Sequence, residues 1–273
     1  MQREENEQWL SGSIGFTFNG VQVEFGVTIP AAPVKPQRIL PIVQNLANFF
    51  VSEAERSEAA NGRAVSCKAG CGACCRQAVP ISEAEVYRIA EIVEGLEEPR
   101  RSEVKRRFRA AAEHFNSTGW YDRFADHIRR APELTIQEGY PEGVALIREY
   151  FTAGVPCPFL ENESCSIHPD RPVACREYLV TSPAENCSRF DPAGIRRVEL
   201  GLKPSKALSK LGADAAGDEI GPLILSRALE IAGRFPDRFE ERPGPEWLKE
   251  FLDEALDNKE PAAERYETAA DPA

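Results

Sequence analysis

Cys67-Lys68-Ala69-Gly70-Cys71-Gly72-Ala73-Cys74-Cys75-Arg76, followed shortly by Ile81-Ser82-Glu83-Ala84-Glu85-Val86, is the stretch from which this chain is read. Spacings of two and three residues let one loop turn several sulfurs toward a centre, at the separations of a tetrahedral metal or an iron–sulfur cluster. Gly70 and Gly72 suit such a loop, which needs positive-φ positions and close backbone approach. The second part is a helix start. Ser82 and Glu85 form a capping box, Ile81 and Val86 a hydrophobic staple, and Val86, Ile89, Ala90 and Val93 then mark the buried stripe. A helix directly behind a sulfur-rich loop predicts a mainly α fold, a helical domain with a loop-rich cysteine metal core.

The remaining cysteines form a second group: Cys157-Pro158-Phe159-Leu160, Cys165-Ser166-Ile167-His168, Cys175-Arg176-Glu177-Tyr178 and Cys187. Any one of the eight alone would read as a buried thiol, but four within nine residues do not. Two independent zinc knuckles would each show paired CxxC motifs, and neither group has that form. The pattern therefore specifies sulfur ligation and leaves the metal open. Cys74 and Cys75 are neighbours whose side chains point apart in most backbone conformations, so either one is a spare or they serve two centres. A four-thiolate zinc site and an oxidised four-thiolate cubane both carry a formal charge of about −2, which nearby cations and N–H donors must offset. Lys68, Arg76, Arg171, Arg176 and Arg189 stand close enough in sequence to do so; ordinary surface arginines are the alternative. Pro158 removes an N–H and walls off the preceding sulfur, as the Cys-Pro step does in bacterial ferredoxins. His168 is a further ligand candidate that eight thiolates make unnecessary, while His114 and His127 read as surface or packing residues.

With 33 Lys plus Arg against 44 Asp plus Glu, the net charge of −11 argues against nucleic acid or an anionic membrane as partner. No apolar run approaches the roughly 20 residues of a membrane span, and Met1-Gln2-Arg3-Glu4-Glu5 lacks the order of a signal peptide. A cytoplasmic location is expected, where thiols stay reduced and disulfides do not explain the cysteines. Three histidines give no Ser/His/Asp or Cys/His hydrolase arrangement.

Outside the cysteine region, Ile14 to Ile29 alternate around Asn19-Gly20, a short N-terminal β-hairpin with Phe18 opposite Val21. Its apolar face is expected to cover the core of its own chain, with a partner or dimer contact as the alternative. Ile39, Ile42, Val43, Leu46, Phe49 and Phe50 predict a helix ending near Asn61-Gly62. A helix from about Pro99 turns Val104, Phe108, Ala111, Ala112 and Phe115 inward. Its arginines and lysine (Arg100, Arg101, Lys105, Arg106, Arg107, Arg109) read as a solvated face, or else a docking patch for an acidic partner. Val144, Ile147, Tyr150 and Phe151 mark a helix stopped by Gly154-Val155-Pro156. Pro222 is expected to open another (Ile224 to Ala232), and Trp247, Leu248, Phe251, Leu252 and Ala255 a last one behind Pro245. The expected organisation is a hairpin and helix (1–66), a cysteine-cluster metal-binding domain (67–190), a C-terminal helical region (191–257) and a disordered tail (258–273).

Taken together, Cys-x3-Cys-x2-Cys-Cys before a capped helix, Cys-Pro-Phe-Leu, Cys-x-Ile and Arg-Pro-x-x-Cys-Arg-x-Tyr resemble the YkgJ-type cysteine-cluster family. Its members are described as zinc- or iron-chelating, and often as iron–sulfur-cluster-containing proteins. The resemblance spans roughly 67–190. It implies that Cys67, Cys71, Cys74, Cys75, Cys157, Cys165 and Cys175 are the motif cysteines, accompanied by Arg171, Pro172, Arg176 and Tyr178, with Cys187 close by. Where this chain has His168 the family pattern more often has Tyr.

The leading functional reading is an iron–sulfur protein, with a [4Fe–4S] cluster, that serves electron transfer or the redox chemistry of a protein partner, as an iron–sulfur oxidoreductase component. A second is a zinc- or iron-binding module whose metal is structural or sequestered. A third is an S-adenosylmethionine-dependent methylase or radical enzyme, because Cys67-x3-Cys71-x2-Cys74 has that spacing and flagellin lysine N-methylases look related through the cysteine domain. Against the third, helix follows helix after Cys75, Ala73 holds a place usually aromatic, and no glycine-rich loop follows a strand.

Overall fold

The computed structural model describes residues 8–18, 21–212, 220–256 and 263–268. In chain order they form β1 (Trp9–Phe18), β2 (Val21–Pro30), β3 (Pro33–Val34), α1 (Leu40–Ala60), α2 (Glu83–Glu94), α3 (Arg100–Ser117), α4 (Trp120–Arg130) and α5 (Ile136–Thr152). Then come β4 (Leu160–Glu161), β5 (Ser164–Cys165), α6 (Val173–Glu177), α7 (Ala184–Ser188), α8 (Pro204–Leu208), α9 (Ala228–Arg234), β6 (Arg242–Pro243), α10 (Gly244–Ala255) and β7 (Ala263–Thr268). The fold is mainly α, as the sequence predicts.

β1 and β2 pair antiparallel from Trp9 opposite Pro30 to Phe18 opposite Val21. The Asn19-Gly20 turn lies outside the described residues. Ile14, Phe16, Val27 and Ile29 are buried, and α1 covers them: the Phe16 ring lies 6.3 Å from Phe49 and 5.9 Å from Phe50, with Phe25 6.3 Å from Phe49. The hairpin thus does cover its own chain's core. β7 pairs with the other edge of β1, which corrects the disordered-tail reading over 263–268. A strand added at an edge is held by backbone hydrogen bonds, which composition does not report; the rest of that tail lies outside the described residues.

α10 closes the same side of the core. Trp247 Nε1 donates to the Val34 carbonyl at 2.8 Å, and the Arg242 guanidinium lies 3.4 Å from the Trp247 ring centre. One buried apolar cluster draws Ile29 from the hairpin, Val43 and Phe50 from α1, Val86 and Val93 from α2, Phe108 from α3, Phe159 and Val173 from the cysteine region, and Phe251 from α10. Each such side chain contributes about 1.5–3 kcal/mol on burial.

A smaller cluster joins α3, α4 and α5: Phe115 stacks on Tyr150 at 3.9 Å, and Trp120 Nε1 donates to the Leu146 carbonyl at 2.9 Å. α9 starts later than Pro222 suggests, since a 3-10 turn (Leu225–Arg227) precedes it. The preceding residues are used otherwise: Leu223 accepts from Ile81 N–H at 3.0 Å and Leu225 N–H donates to Val79 at 2.9 Å. This pairing fixes the entry to α2. Among the described residues no helix is long and apolar enough to cross a membrane.

Candidate metal centre

The first cysteine loop is anchored at its start by Ser66, whose N–H donates to the Val180 carbonyl at 2.9 Å. It then turns at Gly70, φ +84°, a conformation that favours glycine, and Gly70 N–H donates to Ser164 Oγ at 3.1 Å. Gly72 differs from expectation: its φ of −89° suits any residue. What glycine provides there is room, because a Cβ would strike the Glu163 carboxylate. That carboxylate is gripped by both Arg76 terminal nitrogens, at 2.9 and 2.7 Å, while Arg76 Nη1 also donates to the Gly72 carbonyl at 2.9 Å. Arg76 therefore ties the first loop to the β4–β5 turn. Cys74 and Cys75 sit on a 3-10 turn, Ala73–Arg76.

The second group folds directly onto the first, for Cys157 N–H donates to the Cys75 carbonyl at 2.7 Å. Leu160 N–H returns to the Cys157 carbonyl at 2.9 Å, and β4 pairs Leu160 with Cys165. Phe159 packs beneath on Phe108, 5.2 Å between ring centres. Cys175 rides on α6, and Cys187, on α7, is buried with Ala73, Val180, Cys71 and Tyr178. All eight cysteines are free thiols, and Cys67 alone is exposed.

Burial pushes the thiols of Cys67, Cys165 and Cys187 up, Cys157 to about 12, and Cys175 well above its ordinary value. Backbone amides oppose this: hydrogen bonds from Val180 to Cys67, Phe159 to Cys157 and Ile167 to Cys165 favour the thiolates. The Arg171 guanidinium acts in the same direction on Cys67, Cys74 and Cys165. The neighbouring pair splits: a hydrogen bond between them lowers Cys74 and raises Cys75. The sulfurs that burial raises stay protonated by themselves and become anionic when a cation takes the protons' place.

Among the cations expected beside the sulfurs, Arg171 fits best. Its Nε is buried without a hydrogen-bond partner, as is the Tyr178 hydroxyl. Arg176 is also buried, but it is spent on holding the loop: its Nε donates to the Arg171 carbonyl at 3.1 Å, Nη1 to Asn48 Oδ1 at 3.1 Å, and Nη2 to the Pro169 carbonyl. Lys68 and Arg189 are exposed. His168 lines a polar groove with Gln44, Asn48, Arg88 and Arg171, and none of the groove's residues is a cysteine. Glu85 was unforeseen beyond its capping box: it also accepts from Val173 N–H at 2.8 Å, at the start of α6. Its only sequence signal is the capping box itself.

Among the described residues no three Cys, His, Asp or Glu side chains converge as they stand to hold a metal ion. The fit to a metal lies in the donor set: soft sulfurs drawn from both groups, amides aimed at three of them, a guanidinium within charge reach of three, and two buried donors in want of acceptors. Residues 66–192 match the model of the CxxCxxCC family, described as a putative zinc- or iron-chelating domain. No curated protein and no solved structure matches the chain. Within the matched stretch, Cys75 is followed by α2 to α5 in succession. Among the described residues, the named strand pairs are antiparallel, so the alternating βα units of a radical-enzyme barrel are not built.

Proposed function

We propose that the CxxCxxCC domain holds an iron–sulfur cluster of the [4Fe–4S] type and that the protein passes electrons to or from a protein redox partner. The observation that carries this reading is the pair of buried, unpartnered donors, Arg171 Nε and the Tyr178 hydroxyl, beside an all-sulfur donor set. A buried donor without an acceptor costs about 1–3 kcal/mol. Inorganic sulfide and cluster-bound thiolates are acceptors of the kind these groups lack, and hydrogen bonds to sulfur tune cluster potential. Neutral thiols do not converge as thiolates around a cation do, which accounts for the open arrangement of the sulfurs.

The cluster, when bound, supplies one-electron chemistry. The chain's own residues hold the sulfurs, exclude water with Phe159 and Val173, and place positive charge at Arg171. This apolar wall lengthens the lifetime of an oxygen-sensitive centre. The test is purification without oxygen, followed by iron, zinc and acid-labile sulfide analysis. Iron and sulfide in about equal amounts with a brown chromophore are expected; stoichiometric zinc without sulfide overturns the reading in favour of a structural or sequestering site.

A further inference from the structure

Cys187 lies outside the densest part of the cysteine pattern, yet α7 packs its sulfur against the turn that carries Cys74 and Cys75. Val180 is the common neighbour on that side. It is clustered with Cys187 and Cys71, its carbonyl anchors Ser66, and its amide hydrogen-bonds to Cys67. Cys187 lies within charge–charge reach of Cys67, Cys71 and Cys74.

The other side of the turn has a different set of neighbours. Cys75 holds Cys157 through its carbonyl, and the β4–β5 pairing brings Cys165 beside the Cys157 turn. Cys157 and Cys165 both pack against the main core rather than the Val180 cluster. Cys75 is within charge reach of Cys74, Cys157 and Cys175, and Cys175 of Cys157, Cys74 and Cys165.

We propose that the eight cysteines form two abutting centres of four sulfurs each, Cys67, Cys71, Cys74 and Cys187 in one, and Cys75, Cys157, Cys165 and Cys175 in the other. This deepens the metal reading above and rests on it. Four is the donor number of a closed tetrahedral ion and of a cubane cluster. The adjacency of Cys74 and Cys75 then has a use: neighbouring side chains that diverge serve two sites from one turn. Cys74 stands at the shared edge, within charge reach of Cys67 and Cys187 and also of Cys157, Cys165 and Cys175, and it falls to the first centre because Cys75, apart from Cys74 itself, reaches only the second set. Arg171, within reach of Cys67 and Cys74 on one side and Cys165 on the other, offsets the repulsion between two anionic centres.

The experiment uses the full chain, purified without oxygen, as wild type, Cys187→Ala, Cys175→Ala and the double variant, with metal and sulfide counted per chain and folding checked by circular dichroism. Each single variant is expected to retain about half the wild-type metal and the double variant none. A folded Cys187→Ala chain with the full complement, or with none, overturns the partition. As a second measurement on unaltered protein, graded chelation with N-ethylmaleimide labelling should expose Cys67, Cys71 and Cys187 in one step and Cys157, Cys165 and Cys175 in another. Labelling of all eight in a single step overturns it equally. Wild-type protein that binds no metal at all overturns both the partition and the metal reading, whereas a metal-loaded wild type with a failed partition leaves the metal reading standing.

Discussion

Glu85 Oε1 accepts a hydrogen bond from the Val173 N–H at 2.8 Å, while its Oε2 takes the Ser82 N–H at 2.8 Å and the Ser82 hydroxyl at 3.0 Å. One buried carboxylate thereby closes the N-termini of both α2 and α6, where backbone N–H groups lack partners and negative charge is favoured. Since α6 carries Cys175, this is the joint between the helical core and the cysteine region. Glu85→Ala leaves two buried N–H groups unsatisfied and is expected to cost about 2–4 kcal/mol, read by chemical denaturation.

The same carboxyl gives a pH dependence. Burial raises Glu85 above 4.5, its ordinary value, against the pull of Ser82 and Val173. Between 4.5 and its raised position in the fold the folded chain keeps a proton that the unfolded chain has lost, so the contribution of this group to stability falls as pH rises and is fully lost once the folded chain has also given up that proton. Glu85→Gln has no such titration. The stability of wild type minus that of Glu85→Gln should therefore decline as pH rises from about 4.5, and parallel curves would show that Glu85 titrates normally.

What was legible in the sequence was local. The Ser82–Glu85 capping box spans three residues and the Phe18–Val21 pairing follows from a two-residue turn, so both could be read directly. The bond from Glu85 to Val173 spans 88 positions, and nothing near either residue announces it. The cysteines stood out by type and spacing, but that Cys157 hangs from the Cys75 carbonyl depends on tertiary folding. Nearness in sequence also failed to separate the arginines: Arg76 and Arg176 turn to Glu163 and to backbone carbonyls, whereas Arg171 keeps a buried Nε without a partner within charge reach of Cys67, Cys74 and Cys165. α4 carries a weak sequence signal because its apolar residues Trp120, Tyr121 and Phe124 bunch in its first turns, ahead of a charged remainder.

On the proposed cluster reading, Arg171 is expected to set the electron affinity of the centre. Its charge favours the thiolate forms of Cys67, Cys74 and Cys165, and reduction adds negative charge to the same place. Arg171→Gln removes that attraction, so the reduction potential should fall by something on the order of 50 mV. Arg171→Lys should restore part of it. A redox titration followed by electron paramagnetic resonance measures the shift; an unchanged potential in the Gln variant would take Arg171 away from the sulfurs.

His168 offers a control on the ligand set. It shares its groove with Arg88, Arg171 and Arg176, and the positive charge of Arg171 lowers its pKa. A cationic surrounding is a poor place for a residue to gather a metal ion, and the sulfurs already supply enough donors. His168→Ala is expected to bind as much metal as wild type. Loss of metal in that variant would mean that the imidazole is a ligand after all.

Gly244 tests how α10 is seated on the hairpin. As the first residue of a helix, its replacement by alanine should help by up to about 1 kcal/mol on propensity alone. The structure opposes this, because a Cβ there would collide with the Pro30 carbonyl and come within 2.7 Å of Ile29 Cγ1. Pro30 belongs to a paired strand and Ile29 is fully buried, so neither can give way cheaply. Gly244→Ala should therefore destabilise by about 1–3 kcal/mol. Gly233, in α9, has nothing within 4 Å of its would-be Cβ, and Gly233→Ala should be neutral or stabilising by up to about 1 kcal/mol. Thermal denaturation of the two variants side by side decides the matter: equal stabilisation would mean that α10 does not lie against β2 as described.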